Sequence, residues 1–281
     1  MRDESNEMTT SRPLVEGFVP LSLESVDVSS LVQIAARKIT VDRVGLADRN
    51  IVQRFDNKIS GDLATSALQM WLLHAHSEST VIAYDEIRID GFHRRDPGWD
   101  LAISVESIDP VSLLSPRFDQ MVWYLSVKSS RLPSNDRNPE SAVERRDFKI
   151  LKYHTNIWSD LHADVETQVY YPPKEKNQSL AEMTAGDYRW AVEDLGAVAS
   201  GMSDGLRLFD RLGGLGRFEP TVFVGFALAG DLEAVSGSFE MPGTRKQFWK
   251  APLARYSRPA SSLPATLEGM PPLTRPTPVQ S

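Results

Sequence analysis

Asp96-Pro97-Gly98-Trp99-Asp100-Leu101-Ala102-Ile103-Ser104-Val105, followed by Met121-Val122-Trp123-Tyr124-Leu125-Ser126-Val127-Lys128, is the stretch that decides the fold. Side chains alternate between the two faces of a strand. In the first segment Trp99, Leu101, Ile103 and Val105 share one face, and Asp100, Ala102 and Ser104 share the other. In the second, Trp123, Leu125 and Val127 form an apolar face opposite Tyr124, Ser126 and Lys128. If the strands pair with both apolar faces on one core, Asp100 and Lys128 emerge on the same side, each beside a turn. An acid and a lysine so placed can hold a divalent cation and position a water beside it.

Elements on either side complete a pattern. Val26 to Ile39 is expected to be helical in at least its second half. Lys58 to about His74 carries Leu63, Ser66, Ala67, Met70 and Trp71 at helical spacing. Thr80 to Ile89 alternates and is rich in Val and Ile, as a strand is. Arg131 to Asn138 reads as a loop around Pro133, and Ala142 to about Leu161 as a charged helix. Val165 to Tyr171 reads as a strand closed by Pro172-Pro173, Ala181 to Leu212 as mostly helix, and Thr221 to Ala229 as a further strand. A helix, three consecutive strands, then helices and more strands predict an α/β fold: a mixed central sheet flanked by helices.

The 281 residues suit one large domain with tails. Residues 1–25 read as a flexible lead-in, 26–256 as the domain, and 257–281 as a proline-rich tail. No run of about 18 apolar residues occurs, so no membrane span is expected. The polar start, Met1-Arg2-Asp3-Glu4, has no signal-peptide core behind it. Absence of cysteine excludes disulfides, thiolate metal sites and cysteine nucleophiles, and agrees with a cytoplasmic location. A net charge of −7 argues against a uniformly basic nucleic-acid coat, though phosphate contacts need only a local patch.

With Gly61-Asp62, Asp96-Pro97-Gly98-Trp99-Asp100 and Tyr124-Leu125-Ser126-Val127-Lys128 in this order, residues 58 to 130 resemble the PD-(D/E)XK nuclease superfamily. That family places an acid at the start of one strand, an acid-x-Lys on the next, and often another acid on a preceding helix. The resemblance implies a restriction-endonuclease-like core. It assigns Asp100 as the first metal-binding acid, Lys128 as the lysine that orients the attacking water, and Asp62 as the helix acid. Val127 would offer its backbone carbonyl to the metal. The implied reaction is Mg²⁺-dependent hydrolysis of phosphodiester bonds, with Mn²⁺ as a substitute and DNA as the expected substrate, in a restriction or anti-phage role. Ser126 departs from the motif, because it stands where the second acid belongs. Either another acid compensates, Glu86 and Asp62 being the candidates, or catalysis is lost and the domain serves as a nucleic-acid- or protein-binding subunit of a larger complex.

Each residue also has a plainer explanation. Asp100 can end a turn, Lys128 can be a solvated strand end, and Asp62 can complement a helix N-terminus. Asp147-Phe148-Lys149 spells acid-x-Lys as well. On the expected helix its two charges point about 200° apart and cannot share a metal. Arg145, Arg146, Lys149 and Lys152 on that helix are the candidates for a phosphate-binding patch, or simply a solvated face. The scarce histidines give no persuasive zinc set, and Gly213-Gly214-Leu215-Gly216 lacks the Lys-Ser/Thr of a phosphate-binding loop.

Overall fold

The structure is a computed structural model that describes residues 17–41, 50–93, 98–114, 122–136, 138–152, 163–173, 185–232, 238–240 and 247–269. In chain order the elements are β1 (Val19–Leu21), α1 (Val28–Val41), α2 (Ile51–Ala75), β2 (Thr80–Ala83), α3 (Tyr84–Ile87), β3 (Leu101–Ser104) and β4 (Trp123–Arg131). Next come α4 (Pro139–Arg145), β5 (Asp147–Lys152), β6 (Val165–Tyr171), α5 (Ala185–Ala199), α6 (Leu206–Arg211), β7 (Thr221–Leu228) and α7 (Ala229–Leu232). The described chain closes with β8 (Ser238–Glu240), β9 (Gln247–Pro252), α8 (Leu253–Tyr256), β10 (Arg258–Pro259) and α9 (Leu263–Gly269).

The mixed α/β class expected from the sequence is what forms. The main sheet runs β1-β7-β6-β4-β3-β2, with β10 also on β7. β2, β3 and β4 form an antiparallel meander, and β6 then lies parallel to β4. A separate sheet runs β5-β9-β8. Leu101, Ile103, Trp123, Leu125 and Val127 all join one core with α1, α2 and α5, so the two decisive strands do share their apolar face. The other face is covered near β6 and β7 by a second cluster that includes Phe148, Ala251 and Leu253. Near β2 and β3 it is covered by a third that includes Ile82, Ala102, Leu113 and Val122. Trp99 belongs to this third cluster rather than to the first, because it precedes β3 and strand alternation does not bind it.

Several expectations are corrected. α2 begins at Ile51, where Asn50 and Gln53 make a reciprocal capping box. Asp62 therefore lies in mid-helix, and the helix-dipole account of it fails. The expected strand from Thr80 to Ile89 stops at Ala83 and turns into α3. The expected charged helix stops at Arg145, and residues 147–152 instead pair along their whole length with β9. Cross-strand pairing overrides local helix preference there. The boundaries at 25 and 257 also move outward. Leu21 and Leu23 are buried at one end, and Ala260, Leu263 and Leu267 at the other. Residues 270–281, with the remainder of the proline-rich segment, lie outside the described residues.

Candidate functional site

The site forms where β3 gives out. β3 pairs with β4 as far as Leu101 opposite Leu125, and the Asp100 N–H donates to the Leu125 carbonyl at 2.8 Å. One step on, the Val127 N–H donates to Asp100 Oδ2 at 2.6 Å. A carboxylate thus takes the place of the next ladder carbonyl. It holds Asp100 at the strand margin, beside a stretch of β4 that from there pairs only with β6.

On the face of β4 away from α2, Lys128 Nζ donates to Ser126 Oγ at 2.5 Å and lies 3.7 Å from Glu166 Oε2. Glu166 is the register partner of Ser126 across the parallel β4–β6 pair. Partners in register present their side chains on the same face. Glu166 is 5% exposed, and its Oε2 accepts no hydrogen bond. Burial raises its pKa, opposed by the Lys128 ammonium and reinforced by the negative charge of Asp100. Lys128 is not a strand end, since β4 continues to Arg131.

On the α2 side, Lys38 from α1 places its ammonium 2.5 Å from Asp62 Oδ1 and 2.5 Å from Asp85 Oδ2. These groups line a pocket with Gly61, Thr65, Ala83, Tyr84, Asp100 and Val127. Its volume of about 80 Å³ suits an ion with its waters and is too small for a nucleobase. Burial pushes Asp62 up to about 6, against the opposing pull of Lys38 and with help from Asp85. Burial alone would lower the pKa of Lys38, but the two carboxylates outweigh it and keep the ammonium charged. Asp62 Oδ2 is buried with no hydrogen-bond partner.

Asp62, Asp100 and Val127 are thus brought to one pocket, and Ser126 and Lys128 to the adjoining face of β4. Glu86 is not. Its carboxylate accepts from Gln69 Nε2 at 3.2 Å and from the Ala83 N–H at 3.3 Å, which caps α3. Its neighbour Asp85 lines the pocket instead, one oxygen on Lys38 and the other beside Arg88, while Glu86 is turned to Gln69 farther along α2. Arg145 and Arg146 converge on the fully buried Asp136, Arg146 through bonds of 2.9 and 2.7 Å. Residues 147–152 form a strand, so the helix expected to carry Arg145, Arg146, Lys149 and Lys152 together ends at Arg145. Asp147 and Lys149 are likewise strand positions, not helical ones.

Glu166, Asp85 and Lys38 are not among the residues the motif points to. Glu166 carries one sequence signal, a lone acid inside the otherwise strand-like Val165 to Tyr171. The carboxylates offer hard oxygen donors, and Asp62 Oδ2, buried without a hydrogen-bond partner among the described residues, suits a divalent cation. Among the described residues no three acidic or histidine side chains converge as a metal-ligand group, and the Lys38 ammonium stands between Asp62 and Asp85. No described helix is long and apolar enough to cross a membrane. The chain matches no protein-family model, no curated protein and no solved structure.

Proposed function

We propose that this chain is a metal-dependent nuclease of the PD-(D/E)XK type that hydrolyses phosphodiester bonds, with DNA as the substrate. The observation that carries the reading is the register match of Ser126 with Glu166. It returns a carboxylate to the neighbourhood of Lys128 and Asp100, where the motif lacks one. Support also comes from the helix–strand–strand–strand order of α2, β2, β3 and β4, and from Asp62 facing the same pocket as Asp100.

Asp100 and Asp62, which line one pocket with Val127, would hold Mg²⁺ or Mn²⁺, and Glu166, on the other face of β4, would stand beside Lys128. When bound, such an ion neutralises the phosphate and lowers the pKa of a coordinated water. Lys128, fixed by Ser126, donates to the attacking water and orients it toward phosphorus. The water gives up a proton to solvent as its oxygen forms the new P–O bond, the leaving P–O bond breaks, and the departing oxygen takes up a proton from solvent. Asp100 is kept in place by its bond from Val127, so the carboxylate arrives preorganised.

The test is cleavage of single- and double-stranded DNA with Mg²⁺ or Mn²⁺ by the wild type, Asp100→Asn, Lys128→Ala and Glu166→Gln. Cutting by the wild type and loss of at least about a hundredfold in each variant is the expected result. A folded wild type that cuts neither substrate with either metal overturns the proposal.

A second reading is favoured by one observation: the Lys38 ammonium pairs with both Asp62 and Asp85 and stands where an ion would have to sit. In that reading the domain is a degenerate nuclease fold that binds nucleic acid or a protein partner. Salt-sensitive DNA binding without cleavage would select its nucleic-acid form.

A further inference from the structure

We infer that Lys38 is a built-in competitor for the divalent cation: its ammonium and the ion exclude each other at Asp62. This rests on the nuclease reading only for the identity of the ion, not for the exclusion itself.

The geometry of the pocket carries the inference. Its lining sets the carboxylates of Asp62, Asp85 and Asp100 against the single ammonium of Lys38. Lys38 reaches across from α1 and bonds one oxygen of Asp62 and one of Asp85, both at 2.5 Å, with only 13% of its side chain exposed. Asp62, itself 9% exposed, keeps its second oxygen, Oδ2, without a hydrogen-bond partner. A buried carboxylate oxygen is costly to leave unpaired. The ammonium therefore satisfies only half of what Asp62 offers.

A divalent cation bound at about 2.0–2.6 Å from carboxylate oxygens cannot share this position with an ammonium at hydrogen-bonding distance. Like charges this close in a buried setting repel strongly. Metal entry must therefore move Lys38 aside. The ring of Phe92, whose centroid lies 5.9 Å from Lys38 Nζ, already carries the Arg88 guanidinium at 4.4 Å, so the displaced ammonium moves toward solvent on its flexible stem. Asp85 would not be stranded, because Arg88 Nη1 lies 3.4 Å from its other oxygen. Lys38 thus keeps the acids assembled before metal arrives and raises the metal concentration at which the pocket fills.

Two measurements on the full chain test this. Calorimetric titration with Mn²⁺ compares the wild type with Lys38→Gln, whose folding is checked by circular dichroism. The expected result is affinity tighter by roughly tenfold or more in the variant, within the usual range of coupling between sites. Equal or weaker affinity overturns the inference. The second measurement needs no variant: lysine acetylation of the wild type, read by mass spectrometry with and without saturating Mn²⁺. Modification of Lys38 should rise several-fold with metal, and an unchanged level overturns displacement. Absence of Mn²⁺ binding in every form overturns it too. The outcomes separate the two proposals. A wild type that cuts DNA while Lys38→Gln leaves affinity unchanged preserves the nuclease and sinks the competitor. Tightened binding without cleavage does the reverse.

Discussion

Ser126 on β4 and Glu166 on β6 are partners in a parallel ladder, and the lysine two residues after Ser126 touches both. Glu166 thus sets a carboxylate on the adjacent strand at the height of Ser126, on the same face as Lys128.

The relationship predicts a rescue. Glu166→Gln should lose cleavage, and adding Ser126→Asp to that variant should recover part of it, because the new carboxylate returns to the same face beside Lys128. Steady-state cleavage rates of the single and double variants check this. A double variant no better than Glu166→Gln alone would show that position 126 cannot supply the acid.

Glu86 should prove structural. Glu86→Ala removes the acceptor of both Gln69 and the Ala83 N–H and should cost about 1 kcal/mol in urea denaturation. Mn²⁺ affinity should stay within about twofold of the wild type, since Glu86 does not line the pocket. A large loss of affinity without loss of stability would return Glu86 to the site.

Asp56 and Arg217 form a buried ion pair between α2 and the turn before β7. Arg217→Leu leaves a buried carboxylate without this partner and should cost about 3–5 kcal/mol. Asp56→Leu combined with Arg217→Leu should be less destabilised than Arg217→Leu alone, because the buried carboxylate leaves together with its partner. Chemical denaturation of the three proteins decides it.

Asp136 supplies a pH dependence. Hydrogen bonds from Arg146 and Ser141 hold its carboxyl below the usual carboxylate range, against the effect of burial. Its folded pKa is depressed, so its stabilising contribution is present above the unfolded value of about 3.9 and is lost as pH falls through the folded value. The melting temperature of Asp136→Asn should therefore lie below that of the wild type at pH 6. The gap should close as pH falls below about 4. A gap independent of pH would assign the contact a purely steric role.

What the sequence made legible was set by distance along the chain. Val165 to Tyr171 is readable because its β-branched and aromatic residues end against Pro172-Pro173, and the structure gives those same bounds. Asp100 and Val127 are connected by local alternation and a short crossing. β5 was obscured because the alternation Asp147-Phe148-Lys149-Ile150 is embedded in a charged run, and its partner β9 lies about a hundred residues on. Glu166 was illegible for a related reason. Nothing local fixes the register of a parallel pair, which is joined by a long crossover rather than a tight turn. The choice between Asp85 and Glu86 turned on a single helical turn at Tyr84 to Ile87, too short for any periodic signal.

β1 and β10 lie in tandem along one edge of β7, Val19 opposite Phe223 and Arg258 opposite Phe226. The Ser261 N–H donates to the Gly17 carbonyl at 2.9 Å, joining the two outer segments directly. On the ribosome, the earliest strand must therefore wait for β7 before it has a ladder to join. β10 arrives later still. Closure of this edge is a late, long-range event, of the kind that slows folding. Until it happens, the edge of β7 is open to pairing with another strand.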